Sequence, residues 1–259
     1  MTTKAESGIV RLIDMIFPGD ANHHGTLFGG VALAHMDKVA FLAASRHGRA
    51  PFVTASSEKI DFAAPARIGE MVEATGRVTR VGRSSLDVTV ELIAEVPTSG
   101  ERRLCTRGLF TLVAVKGPET ELPLPPLGTR AAVETDAALR FVDMVFPQQT
   151  SHYGTLYGGD ALKMMGKAAF LAATRHARAS IVMAACDRID FKSQIGEGEM
   201  VELVARVKMT GRSSIRIDVE LWAEHLIAGE RRQAAQSTFT MLAVDEKGKP
   251  MPIGVASAP

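Results

Sequence analysis

Cysteine is scarce. The chain has two in 259 residues, Cys105 and Cys186, at unmatched positions and in no CxxC pair. That argues against a disulfide framework and fits a reduced, cytoplasmic setting. An excess of charge of either sign is lacking too. Thirty Lys and Arg residues (30) against 29 Asp and Glu leave a net charge of +1. With no basic run and no aromatic-basic interleaving, nucleic acid is not an expected partner. No apolar run approaches membrane-spanning length, and the opening MTTKAESGIV lacks the apolar stretch of a signal peptide, so no membrane partner is expected. Several site motifs are also missing. There is no HExxH or paired CxxC for zinc, no GxSxG elbow, and no GxGxxG or Walker sequence. His23, His24, His35 and His47 are thus scattered histidines, and no metal is expected. The remainder, 46% hydrophobic and 23% charged, is that of a soluble globular chain.

What is present is a phrase written twice. NHHGTLFGG at Asn22–Gly30 returns as SHYGTLYGG at Ser151–Gly159. LIDMIFP at Leu12–Pro18 returns as FVDMVFP at Phe141–Pro147, and DKVAFLAASRHGRA at Asp37–Ala50 as GKAAFLAATRHARA at Gly166–Ala179. GEMVE, GRSS and GERR each occur twice. The register does not slip: Asp14 and Asp143, like Arg83 and Arg212, are 129 residues apart. About half of the positions from 13 to 115 are identical with their counterparts. A unit of this size is a domain and not a solenoid repeat. Residues 1–116 and 138–259 are read as two copies of one domain. The Pro-rich, aperiodic stretch 117–137 is read as a linker and the tail from Asp245 as irregular.

Periodicity places the elements of one copy. IVRLIDMIF predicts a short strand, Gly29 to about Arg49 a helix, and the residues from Pro51 to Phe62 a strand. Val72, Ala74, Gly76 and Val78 share one face of a further strand, and Leu86, Val88, Val90, Leu92 and Ala94 one face of the next. LCTRGLFTLVAV is more apolar and reads as a central strand. Turns such as RVGRSS are short enough for hairpins. The expectation is an antiparallel sheet with one helix across it. From Val31 to Ala44 only His35, Asp37 and Lys38 are polar, so the helix is expected to be covered on nearly all sides.

Asp37 in mid-helix is the conspicuous residue. An ionised carboxylate among apolar neighbours needs a partner or a task. Lys38 is a poor partner, because residues i and i+1 do not face each other. The second copy keeps Lys167 but has Gly166 where Asp37 would be. Both a functional role and a distant partner stay open. Gly29-Gly30 opens the helix, where unpaired N–H groups could polarise a carbonyl or hold a phosphate, or where glycine merely allows a tight turn. Asn22 and His23 in the preceding loop could orient water or serve as turn and cap residues. Arg83 could meet a phosphate or stand solvated in its hairpin.

At FPGDANHHGTLFGGVALAHMDKVA the pieces resemble the hotdog-fold acyl-CoA thioesterases, in particular the acyl-CoA hydrolases in which two hotdog domains are fused. KIDFAAPARIGE and GRSS share the resemblance, which spans both copies. It implies an α+β fold of two tandem hotdog domains, each a curved antiparallel sheet wrapped around one long central helix. It implies hydrolysis of acyl-CoA to a fatty acid and CoA. Asp37 takes the position of the general base or nucleophile, Asn22 that of the orienting asparagine, and Gly29 that of the N–H donor to the carbonyl. Gly30, His23 and the strand residues Ser56 and Ser57 take supporting positions. Arg83 and Arg212 are the candidate CoA-binding arginines. No metal or separate cofactor is implied, CoA being part of the substrate.

The resemblance further implies that sites form between paired domains, with asparagine and acid from opposite domains. In this chain both lie in copy one, and copy two offers Ser151 and Gly166. If copy one pairs with copy two, one site joins Asp37 with Ser151, His152 and the Gly158 helix start, and the other has no base. If copy one pairs with copy one of another chain, Asn22 and Asp37 meet. The first arrangement is the expectation, in a homo-oligomer that is a trimer of double-hotdog chains. Two other readings stand beside it: a non-catalytic acyl-CoA-binding or regulatory protein, and another hotdog CoA enzyme such as a hydratase.

Overall fold

A computed structural model describes residues 9–118, 120–127 and 138–254. In the first repeat the chain forms β1 (Val10–Met15), α1 (Gly29–Gly48), β2 (Phe52–Ser57), β3 (Met71–Val81), β4 (Ser85–Glu95) and β5 (Arg102–Ala114). The strands make one antiparallel sheet in the order β1-β3-β4-β5-β2. The second repeat forms β6 (Leu139–Met144), α2 (Gly158–Ala177), β7 (Ile181–Cys186), β8 (Asp190–Phe191), β9 (Met200–Thr210), β10 (Ser214–Glu224) and β11 (Arg231–Ala243). Its order is β6-β9-β10-β11-β7, with β8 added to β11. One strand, one helix and four strands is the order that periodicity predicts. These are two tandem hotdog domains of the α+β class.

Alternation fills the core. Leu86, Val88, Val90, Leu92 and Ala94 of β4 are each buried on one face, alternating with Asp87, Thr89, Glu91 and Ile93. Met36, Val39 and Leu42 of α1, one face at helical spacing, are fully buried as well, and α1 packs across β3, β4 and β5. Each such side chain contributes ~1.5–3 kcal/mol on burial. Gly76 in β3 has a packing reason: a Cβ there would lie 2.6 Å from Val39 Cγ1, so its absence lets the helix approach the sheet. Packing divides the chain into two compact units. One is Met1–Val96 with Arg102–Glu134 and Glu224–Arg231; the other is Pro97–Glu101 with Thr135–Ala223 and Arg232–Pro259.

Two expectations need correction. The strand from Pro51 ends at Ser57, not Phe62, because the chain there leaves the ladder of β5 and keeps only isolated bonds, such as Ala63 N–H to Cys105 O at 2.8 Å. The helix is not covered all round within its unit: Leu33 is 39% exposed, because one sheet covers one side of a helix. Within the stretch 117–137, residues 123–127 lie as a strap on the first unit. Leu124 is buried, its N–H donates to Arg83 O at 3.1 Å, and His47 Nε2 lies 2.8 Å from Pro125 O. Ile253, again 129 residues on, donates its N–H to Arg212 O at 2.8 Å, so the repeat runs on into the tail. Residues 119 and 128–137 of that segment lie outside the described residues. Leu124→Ala is expected to destabilise the protein by ~2–4 kcal/mol in urea denaturation, since it opens a cavity against α1. An unchanged midpoint would show the strap to be loosely laid on the domain.

Candidate active site

The helix starts are open. Their N-cap positions hold Phe28 and Tyr157, which cannot accept a bond from the helix as Ser, Thr, Asp or Asn would, and no side-chain cap is formed. The N–H groups of the first helical residues, Gly29-Gly30 and Gly158-Gly159, have no acceptor within their helix. The two glycines of each pair differ in purpose. A Cβ at Gly30 would lie 2.6 Å from the Phe28 ring, and one at Gly159 2.7 Å from the Tyr157 ring. At Gly158 nothing lies within 4 Å, and at Gly29 only the Phe62 ring at 3.9 Å. A side chain at the second glycine would have to push the exposed Phe28 or Tyr157 ring aside, whereas the first glycine has room for one.

The loop before each helix is tied by its first residue. Asn22 Oδ1 accepts from His24 N–H at 2.9 Å and Thr26 N–H at 3.3 Å, and Asn22 Nδ2 meets Thr26 Oγ1 at 3.0 Å. Gly25 completes the turn at φ +72°, a conformation that favours glycine. In the second repeat Ser151 Oγ accepts from Tyr153 N–H at 3.3 Å and lies 3.4 Å from Thr155 Oγ1, so serine keeps the turn. Asparagine adds a second Nδ2 hydrogen, and no acceptor for it occurs among the described residues. His23 and His152 are exposed and lie against their neighbours His24 and Tyr153, with ring centroids 3.8 Å and 3.9 Å apart.

Asp37 is half-buried on α1, and its partner is Thr54 of β2, whose Oγ1 donates to Asp37 Oδ1 at 2.7 Å. Oδ2 has no partner among the described residues. β2 is the edge strand of its sheet and carries a bulge at Ala55, between the pairs Thr54–Leu112 and Ser56–Thr111. Thr54 stands before the bulge, in regular register two residues after the buried Phe52, so alternation along β2 puts it on the helix-facing side. Thr54 is the residue that sequence reading passes over in favour of Ser56 and Ser57; its signal is the two-residue alternation from the apolar Phe52. Asp37 lies eight residues after Gly29 on the same helix, about 12 Å along its axis. A reacting carbon must sit within ~3 Å of both base-held water and oxyanion donor. The Gly29 N–H and the Asp37 carboxylate of one helix therefore do not converge on one reacting atom.

Further groups lie around this frame. A cavity of about 290 Å³ opens at the Gly158 start, lined by Leu156, Ala161, Phe191 and Ser193 among others. Another, of about 320 Å³, lies between Arg83 and the strap residues Pro123, Leu124, Pro126 and Leu127. The Arg83 and Arg212 side chains are exposed, with no hydrogen bond or ion pair among the described residues. The second arginine of each GERR pins the turn before GEMVE: Arg103 holds Glu70 and Pro65 O, and Arg232 holds Glu199 at 2.6 Å and Gln194 O at 2.7 Å. Burial pushes the Cys105 thiol up, which keeps it protonated and unreactive. Among the described residues no three His, Cys, Asp or Glu side chains converge as metal ligands, and no helix is long and apolar enough to cross a membrane.

The duplicated fold agrees with known proteins. The model of the thioesterase superfamily matches residues 24–101 and again 153–228, and the chain belongs to that superfamily. The crystal structure of an acyl-CoA hydrolase from Agrobacterium tumefaciens is 49% identical, with a TM-score of 0.88 over 95% of this chain and 98% of that one. The cytosolic acyl coenzyme A thioester hydrolase of Mus musculus is 24% identical over 91% of this chain and 74% of its own length. An acyl-CoA thioester hydrolase of Bacillus subtilis, described as uncharacterized, is 39% identical over 42% of this chain and 63% of its own.

Proposed function

We propose that this protein hydrolyses acyl-CoA to free fatty acid and CoA. The observation that carries the reading is the Asp37–Thr54 pair. One carboxylate oxygen is fixed by the hydroxyl and the other is left open beside an edge strand. Asp37 Oδ2 takes a proton from water as that water attacks the thioester carbon. Attack by Oδ2 itself, followed by hydrolysis of the resulting anhydride, uses the same geometry. The carbonyl oxygen becomes an oxyanion that accepts from N–H groups at a helix start. One such donor supplies ~2.7–4 kcal/mol. On collapse the C–S bond breaks and the thiolate leaves, taking up a proton. No metal or added cofactor enters. Arg83, with the cavity under the strap, is suited to a CoA phosphate, and Arg212 repeats its position. The protein acts in the cytoplasm as a homo-oligomer, a trimer of double-hotdog chains. The free edges of β2 and β7 favour association. Light scattering is expected to give three chain masses.

The test is thiol release from a panel of acyl-CoAs, from acetyl to palmitoyl. Turnover of at least one member is expected, and none on any member would overturn the reading. Two variants probe the parts. Thr54→Val is expected to lower kcat/KM about tenfold with unchanged melting, since a hydrogen bond to a charged group contributes ~1.5–3 kcal/mol. Gly158→Ala fits its open space and is expected to leave the melting temperature unchanged or higher. Its methyl crowds the N–H, so activity falls about tenfold or more. Full activity would remove Gly158 from the site.

A further inference from the structure

Gly29, Leu33 and Asp37 recur every four residues and share one face of α1. Both ends of that face lie against the same stretch of chain. Asp37 meets Thr54, and a Cβ built at Gly29 would lie 3.9 Å from the Phe62 ring. Leu33, between the two ends, and Phe62 are exposed apolar side chains. An apolar lane therefore leads away from the carboxylate, between α1 and residues 54–62. Ile60 forms its inner wall. Gly108 of β5 is buried, and a Cβ built there would lie 2.9 Å from Ile60 Cδ1 and 3.1 Å from Met36 Cε. The missing Cβ lets Ile60 sink against the sheet beside Met36, the residue before Asp37. Ile60 is held there although its segment has left the ladder. Glu58 N–H donates to Leu109 O at 2.9 Å on one side of it, and the buried Thr106 Oγ1 donates to Asp61 O at 2.9 Å on the other. The second repeat, with Gly166 in place of the acid, lacks this glycine too. Ser237 stands 129 residues on from Gly108, its hydroxyl directed at Asp187 O at 3.0 Å and Arg188 O at 3.3 Å.

We propose that Ile60 is the wall on which the acyl chain ends, and that Ile60 and Gly108 together set the chain length that the Asp37 face takes. This rests on the reading of that face as hydrolytic. With the thioester carbon at Asp37 Oδ2, the acyl chain runs along Leu33 and Phe62, where apolar surface meets apolar surface. Ile60 stands at the inner side of this lane. It is β-branched and stiff at χ1, and its backbone is pinned on both sides, so it stops a longer chain and does not swing away from it. Gly108 fixes how far the wall is withdrawn. A side chain at that position would push Ile60 out into the lane, and a smaller residue at position 60 would open the lane down to the glycine.

The experiment measures kcat/KM of the full chain for straight-chain acyl-CoAs from acetyl to palmitoyl, each taken relative to acetyl-CoA. Two variants move the wall in opposite directions. Ile60→Ala is expected to raise the relative kcat/KM at least tenfold for the chain just beyond the wild-type limit, since one methylene in an apolar pocket is worth ~10–200-fold. Gly108→Ala is expected to lower it by a similar factor for the longest chain that the wild type accepts. Ile60→Val removes only the methyl that meets Gly108. It is expected to shift the profile the same way as Ile60→Ala by a smaller factor, and it carries the test if the alanine variant does not fold. Folded variants whose profiles match the wild type after scaling by one common factor would overturn the proposal, because a merely structural role moves all lengths alike. A shift in the same direction at both positions, or a wild type that takes every length equally, overturns it as well. Failure of the underlying hydrolytic reading looks different: the wild type releases no thiol from any member, or Asp37→Asn releases it at the wild-type rate.

Discussion

Asp37→Asn is expected to slow thiol release from acyl-CoA at least a hundredfold, with circular dichroism and melting unchanged. A positioned general base is worth ~10²–10⁴ in rate, and nothing else on this face of α1 can take the proton from water. The fold should not notice the change. Asn has the shape of Asp, the position is half-buried, and Thr54 Oγ1 can still donate to Oδ1. A structural role for Asp37 would produce the opposite pattern, a lower melting temperature with turnover per folded molecule preserved. Turnover that survives in a well-folded variant would keep the enzyme and remove Asp37 as its base.

Glu224→Ala is expected to cost ~3–5 kcal/mol of stability in urea denaturation, the penalty for leaving buried charge unpaired. Glu224 is 1% exposed. Its Oε2 meets Arg46 Nη2 at 2.7 Å, and its Oε1 meets Arg49 Nη1, also at 2.7 Å. Arg49 Nη1 also donates to Leu226 O at 2.9 Å. Removing the carboxylate leaves two guanidiniums facing each other. Arg49 is itself in the left-handed region, at φ 48°, at a helix C-cap where glycine is usual. The need for a guanidinium at that point explains arginine there. Burial pushes the Glu224 carboxyl up, but the hydrogen bonds and charge of Arg46 and then Arg49 outweigh it and hold the group below its ordinary value. The folded protein thus binds the proton more weakly than the unfolded chain. The stabilisation is present above the unfolded carboxyl pKa of about 4.3 and is lost as pH falls through the lower folded value. The acid limb of a stability–pH curve should be shallower in Glu224→Ala than in the wild type. Equal slopes would mean that other carboxylates carry it.

The sequence by itself determined the duplication, the order of strands and helix, and the identity of Asp37 as the odd residue in an apolar helix. The reason is that these are local or internal comparisons. Periods of two and 3.6 are written in neighbouring residues, and a repeat supplies its own reference. Copy two, with Gly166, showed that Lys38 is not what Asp37 is for. The tertiary structure alone decided what lies beside what. Thr54 shares the face of the buried Phe52 on β2, and that this face lies opposite Asp37 is set by how the edge strand packs on α1. The uncapped start of each helix depends on Phe28 and Tyr157 standing at the N-cap, and the room for a side chain at Gly29 and Gly158 on what the fold leaves there. Whether Leu124 is linker or core depends on what it meets after the chain doubles back. Glu224 and its two arginines are 178 and 175 residues apart in the chain. Their pairing follows from burial: a carboxylate removed from water must find cations wherever the fold brings them, and sequence distance places no limit on where that is.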